Sequence, residues 1–181
     1  YIEEWSDARV LRDAHLGSIW EGTSNIVALD VFRAIRREQT LPVLSDYLER
    51  LLSEAGLNES ELAIFTALLA KGVAAAERVA RSPENETEVR RIASGLYHIT
   101  SAVFLAWESA QLKGDLRRLA LGKLVLQYKL LPQDPLEVRV PEAQAVAELL
   151  KEIPLDRDGV ARLVDEQAML RAAGLSEVAS S

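Results

Sequence analysis

The sequence predicts an all-α protein built as an antiparallel helical bundle with additional C-terminal helices, and three observations carry that prediction. Apolar residues recur in steps of three and four over two long stretches, which puts each set on one helical stripe. The first set is Leu62, Phe65, Leu69, Val73, Ala76 and Ala80; the second is Val89, Ile92, Leu96, Ile99, Val103, Ala106 or Trp107, and Ala110. Asn58 stands three residues before Glu61 and Asn85 three before Glu88, the offset of a capping box at a helix start. The one stretch that alternates as a strand would, Leu136 to Val140, has no second strand to pair with and reads as an extended connector.

Taken in order, Ser6 is a cap for a first helix running through Val10, Leu11 and Ala14 to about Leu16, with Gly17 just past its end. Gly22 supplies backbone freedom at the turn that follows. Thr23 or Ser24 then caps a second helix whose apolar face is Ile26, Leu29 and Phe32, with Ile35 slightly off the stripe. Thr40-Leu41-Pro42 stops that helix or changes its direction. A third helix spans about Val43 to Ala55, with Leu44, Leu48, Leu51 and Leu52 on one face and Gly56 as its stop. The two capping boxes open the long pair, the first helix ending at Arg81-Ser82-Pro83 and the second at Gly114. Asp115 caps a sixth helix to Leu131 carrying Leu116, Leu119, Leu126 and Leu130, which Pro132 ends. Pro132-Gln133-Asp134-Pro135 is the clearest linker. Beyond it Pro141 fits the first position of a helix with Val146, Leu149 and Leu150, a final helix runs from about Asp156 to Ala173, and Leu175 to Ser181 forms a disordered tail. These signals divide the chain at 1–40, 41–131 and 132–181.

Composition narrows the function classes. The chain has 181 residues, 49% of them hydrophobic, enough for one substantial core. A formal net charge of -7 gives no global attraction for nucleic acid or an anionic membrane. Zero cysteines exclude disulfides and thiolate chemistry and fit a reducing, cytoplasmic setting. No apolar run approaches the ~20 residues of a membrane span. No His-x-x-x-His or acid-rich box points to a metal; His15 and His98 are far apart, and His98 reads as a hydrogen-bonded core or boundary histidine. The basic clusters Arg33 to Arg37, Arg90-Arg91 and Arg117-Arg118 are flanked by acids and read as solvated helix faces. The only methionine is Met169, so Tyr1 is not expected to be a native start.

Chemistry concentrates in the stretch Leu11 to Ile26. From spacing alone, Glu21 is a solvated acid beside a helix N-terminus, where it complements the macrodipole by ~0.3–1 kcal/mol. Arg12-Asp13 reads as an ion-paired structural element. Yet the run Arg12-Asp13-Ala14, then Ile19-Trp20-Glu21-Gly22-Thr23, then Asn25-Ile26, resembles the C-terminal signature of the flavin-dependent acyl-CoA dehydrogenases. Tyr1 stands where that family's Gly-rich segment ends in an aromatic. The match covers roughly the first 35 residues and is specific in order and spacing. Trp20 before Glu21, and Asn25-Ile26 after the turn, look most like the family's AidB-like branch, which carries an extra helical C-terminal domain.

The resemblance implies an acyl-CoA dehydrogenase C-terminal bundle, in a piece of a longer FAD-dependent protein. It assigns Glu21 as the catalytic base, Gly22 to the substrate thioester region, and Thr23, Ser24 and Asn25 to contacts with FAD. It further implies an acyl-CoA substrate, an electron-transfer acceptor and a homo-oligomer, and a chain inactive by itself because the site's other walls lie elsewhere. The family often has Gln or Glu-Ile-Gln near residues 25–27, so Asn25 departs from the usual flavin contact. A competing reading makes the helices after Asn58 an oligomerisation or protein-interaction module of an AidB-like flavoprotein with little dehydrogenase activity and an association with nucleic acid.

Overall fold

A computed structural model describes residues 6–20, 24–81, 86–112, 114–132, 146–147, 149–151 and 153–175. Every regular element among them is helical: α1 (Asp7–Trp20), α2 (Ser24–Glu38), α3 (Thr40–Glu54), α4 (Glu59–Arg81), α5 (Glu86–Gln111), α6 (Arg117–Lys129), α7 (Arg157–Leu163) and α8 (Glu166–Ala173). Residues 146, 147 and 149 are also helical. Asn85, the connector Leu136 to Val140, Pro141 and the tail from Ser176 lie outside the described residues.

Contacts fix the directions of the long helices. Arg78 reaches Glu88 while Gly72 lies against Ile99, so α4 and α5 run antiparallel. Arg118 reaches Glu108 while Gly122 lies against Ala102, so α5 and α6 do too. Tyr47 lies against Phe104 with the rings tilted, and Glu54 accepts from Trp107 Nε1 at 3.0 Å, which sets α3 parallel to α5. The main core gathers Leu48, Leu51 and Leu52 of α3, Phe65 and Leu69 of α4, Val103 and Ala106 of α5 and Leu126 of α6, closed by Val160, Met169 and Leu170 of the last two helices. A second cluster joins Ala28 and Phe32 of α2 to Val79 of α4 and Val89 of α5. Arg36 fastens that cluster, its Nε donating to the carbonyl of Ala80 at 2.9 Å, where the last turn of α4 has no helical partner.

Several boundaries differ from the sequence reading, each for a local reason. Helix α1 continues through Gly17 to Trp20. Helix α2 stops at Glu38 because Gln39 turns left-handed, with φ 50. Helix α3 then starts at Thr40, with Pro42 in its first turn, where a missing N–H costs no helical bond. Gly56, with φ 62, provides the reversal between α3 and α4. The single helix expected from Asp156 to Ala173 is two, because Val164 is extended and Asp165 opens a new helix by accepting from Ala168 N at 2.8 Å. Asp156 caps α7 in the same way, from Gly159 N. Leu175 is docked rather than part of a disordered tail: its N–H donates to Leu170 at 2.9 Å and its side chain packs on the core.

The α5–α6 contact depends on Gly122. An added Cβ there would sit 2.9 Å from the Ala102 carbonyl oxygen and 3.4 Å from Leu105 Cβ, and a backbone oxygen cannot swing aside. Gly122→Ala should therefore destabilise by about 1–3 kcal/mol, although alanine is the better helix former. Urea midpoints should show a loss, and a gain would contradict the close approach.

Candidate functional site

Three of the five residues assigned by the signature, Glu21, Gly22 and Thr23, lie outside the described residues, between the end of α1 and the start of α2. Ser24 and Asn25 are the first residues of α2 and are exposed. Their hydroxyl and amide stand beside the unpaired N–H groups of a 15-residue helix, a setting that suits a phosphate or a polar heterocycle edge. Asn25 shares a small cleft of about 310 Å³ with Leu29 and with Thr87, Val89 and Arg90 of α5. Asp13 lies 3.9 Å from Arg9 in an exposed ion pair, so this acid takes part in surface pairing one turn along the helix.

Apolar side chains are exposed on both helices that flank residues 21–23, on α1 beside Arg9, Arg12 and Asp13. Of residues 8–15 only Ala8 is buried, and Val10 is 63% exposed. The face expected to be inside α2 is split: Phe32 is buried while Ile26, 52% exposed, and Leu29 point outward, with Val27 and Val31 also exposed. The bundle buries Ala28 instead. Sequence periodicity sees a broad apolar arc on α2, but the arc exceeds what α3, α4 and α5 cover.

A second constellation is inside the bundle. Glu61, 1% exposed, completes the expected capping box: Asn58 Oδ1 accepts from Glu61 N at 2.8 Å and Glu61 Oε2 accepts from Asn58 N at 3.0 Å. Its carboxylate also accepts from Arg157 Nη1 at 2.7 Å on both oxygens and from Lys123 Nζ at 3.3 Å. Lys123, 2% exposed, also donates to Glu166 at the start of α8. Two acids and two bases thus tie the N-termini of α4, α7 and α8 to the middle of α6. This cluster was only partly legible in the sequence. Lys123 lies four residues after Leu119 and three before Leu126, so spacing places it on the inner stripe, but nothing local names Arg157 and Glu166 as its company.

Burial by itself would raise the Glu61 pKa, yet the Arg157 hydrogen bond, the Asn58 N–H and the two cationic charges outweigh it and hold the carboxyl below its ordinary 4.5. A depressed folded-state pKa contributes stability that is complete above the unfolded value and fades as pH falls through the folded one. The stability difference between wild type and Glu61→Gln should therefore be largest near neutral pH and shrink below about pH 4.5. Parallel urea titrations at pH 7 and pH 3 measure it; a constant difference would contradict the linkage.

Several of the remaining polar candidates have structural work. Arg33 pairs with Asp30, Arg91 with Glu88 and Arg118 with Glu108. Arg117 donates to the carbonyl of Ile153 at 2.9 Å, and Asp115 accepts from Arg117 N and Leu155 N, so the turn before α6 is stitched to the segment before α7. Asp115 therefore holds the first N–H of α6, as expected of it, and in addition joins that helix start to a second segment. His98 is a half-buried boundary residue with its ring edge against Tyr97, and burial, with the nearby Lys129 ammonium, pushes its pKa below 6.5. Among the described residues no group of His, Asp and Glu side chains is placed to hold a metal, and no helix is long and apolar enough to cross a membrane.

Comparison of the chain with protein-family models, with curated proteins and with solved structures found no match in any of the three.

Proposed function

We propose that this chain carries the end of the helical C-terminal domain of an FAD-dependent acyl-CoA dehydrogenase, followed by a helical extension made by α3 to α8. The observation that carries the reading is the set of large apolar side chains left exposed on α1 and α2. Val10, Leu11, Ile26, Val27, Leu29 and Val31 are exposed on the two helices that flank the signature turn, while the helices after them close a core of their own. Such a set is what helices show when they belong to a larger bundle and pack on further helices.

In this reading Glu21 removes the α-proton of an acyl-CoA thioester as a hydride leaves the β-carbon, giving a trans-2-enoyl product. A carboxylate suits that step once substrate excludes water, because desolvation raises its basicity toward the working pH. FAD, when bound, supplies the hydride acceptor. Thr23, Ser24 and Asn25 hold one edge of it through hydroxyl, amide and helix N–H donors, and Ser24 and Asn25 are exposed at the helix start as that role requires. The test is spectroscopic. The flavoprotein carrying this chain should purify yellow, and an acyl-CoA should bleach its flavin absorbance anaerobically. A colourless protein that takes up no FAD would overturn the proposal.

A further inference from the structure

Along one side of the α4–α5 pair the helices part to leave an open groove of about 740 Å³, within the ~300–1,000 Å³ typical of small-molecule sites. A glycine lies on each wall. An added Cβ at Gly72 would meet the Ile99 side chain, whereas one at Gly95 would meet nothing within 4 Å. Gly95 thus sits inside the 26-residue α5 with room for a side chain it lacks. Glycine is the costliest residue other than proline inside a helix, so an alanine there would serve the bundle better. What the missing side chain leaves is access to the groove floor, formed by Leu68, Leu96, Ile99 and Leu130.

Charge selects the occupant. The groove is lined by Lys71 and Arg78 of α4, Arg90 and Arg91 of α5 and Lys129 of α6, with no Asp or Glu among the described lining residues. This is a local reversal in a chain of formal net charge -7. Glu88 accepts from both Arg78, at 2.8 Å, and Arg91, at 3.1 Å, and so holds the two guanidinium groups side by side. Among the described residues neither Lys71, Arg90 nor Lys129 makes an ion pair. Thr87 adds a hydroxyl at the arginine end. Forked guanidinium donors recognise phosphate and carboxylate oxygens through paired hydrogen bonds.

We propose that this groove is a binding site for an amphipathic organic anion, with its phosphate or carboxylate head at Arg78, Arg90 and Arg91 and its apolar body along Leu96 and Ile99. The arginine end of the groove adjoins the cleft at Asn25, with which it shares Thr87 and Arg90, but the proposal does not depend on flavin. Calorimetric titration of the full chain with decyl phosphate, kept below its micelle concentration, tests it, with decanoate, decanol and inorganic phosphate in parallel. Decyl phosphate or decanoate should bind, the stronger of the two identifying the head group. Decanol and inorganic phosphate should each bind at least about tenfold more weakly, since each lacks one half of the recognition. Arg90→Ala should weaken binding about tenfold, the loss of one charge-assisted contact. Gly95→Leu should fill the groove and abolish binding while circular dichroism stays helical. Absence of binding by both anions, equal binding of decanol, or full binding to Gly95→Leu or Arg90→Ala would each overturn the proposal, whatever the flavin experiment shows.

Discussion

Lys123→Ala should lower the unfolding free energy by about 3–5 kcal/mol, the loss typical when one partner of a buried ion pair is removed. The size follows from position. Lys123 is inside the bundle, and its ammonium faces two carboxylates, Glu61 and Glu166, the first of which is itself buried. Removing the cation leaves Glu61 with the Arg157 guanidinium and the Asn58 N–H and opens a void where the lysine stem packed. Lys123→Met separates the two effects, because methionine restores most of the volume without the charge. If the charge matters, Lys123→Met remains well below wild type, and adding Glu61→Gln to it recovers part of the loss, since the double variant no longer buries an underpaired acid. Equal urea midpoints for Lys123→Met and wild type would show that packing alone accounts for the residue.

Glu21→Gln, made in the flavoprotein proposed to carry this chain, should lower turnover about 10²- to 10⁴-fold while leaving the protein yellow. Glutamine keeps the size of the side chain and its place before α2 but cannot accept the α-proton. Retention of flavin matters as much as the loss of rate, because it separates a missing base from a damaged cofactor site. Stopped-flow reduction of the flavin by an acyl-CoA reads both at once: the oxidised spectrum should be unchanged and the reductive phase nearly absent. Wild-type reduction rates in the variant would remove Glu21 from the chemistry and leave it as the acid beside a helix start that its spacing alone describes.

The two sites differ in how far local sequence describes them. The signature turn is a contiguous motif, readable as order and spacing, and its residues Ser24 and Asn25 fall at a helix start where capping logic puts them. Asn58 and Glu61 likewise form the reciprocal cap that their offset predicts. The groove has no such signature. Arg90 and Arg91 read as a solvated face because their acidic neighbour Glu88 is close in sequence, yet folding turns Glu88 into a clamp between Arg78 and Arg91. Arg90 remains at the groove without an ion pair among the described residues, with Lys71 and Lys129 from other helices. Gly95 looks like a mere weak point in a helix until α4 is seen beside it.

Sequence alone determined the all-helical class, the two long amphipathic helices, the cap of α4 and the stop at Gly56, since each rests on residues within one or two turns of each other. Tertiary structure decided which part of each apolar arc is buried. Phe32 goes in and Ile26 stays out because, among the described residues, α2 packs on α3, α4 and α5 through its Phe32 side. It also decided that a lysine belongs in the core, because the acids that neutralise Lys123 lie 62 and 43 positions away in the chain. Helical periodicity reports which residues share a face; only the partners brought by folding determine whether that face meets a core, a charge or open solvent.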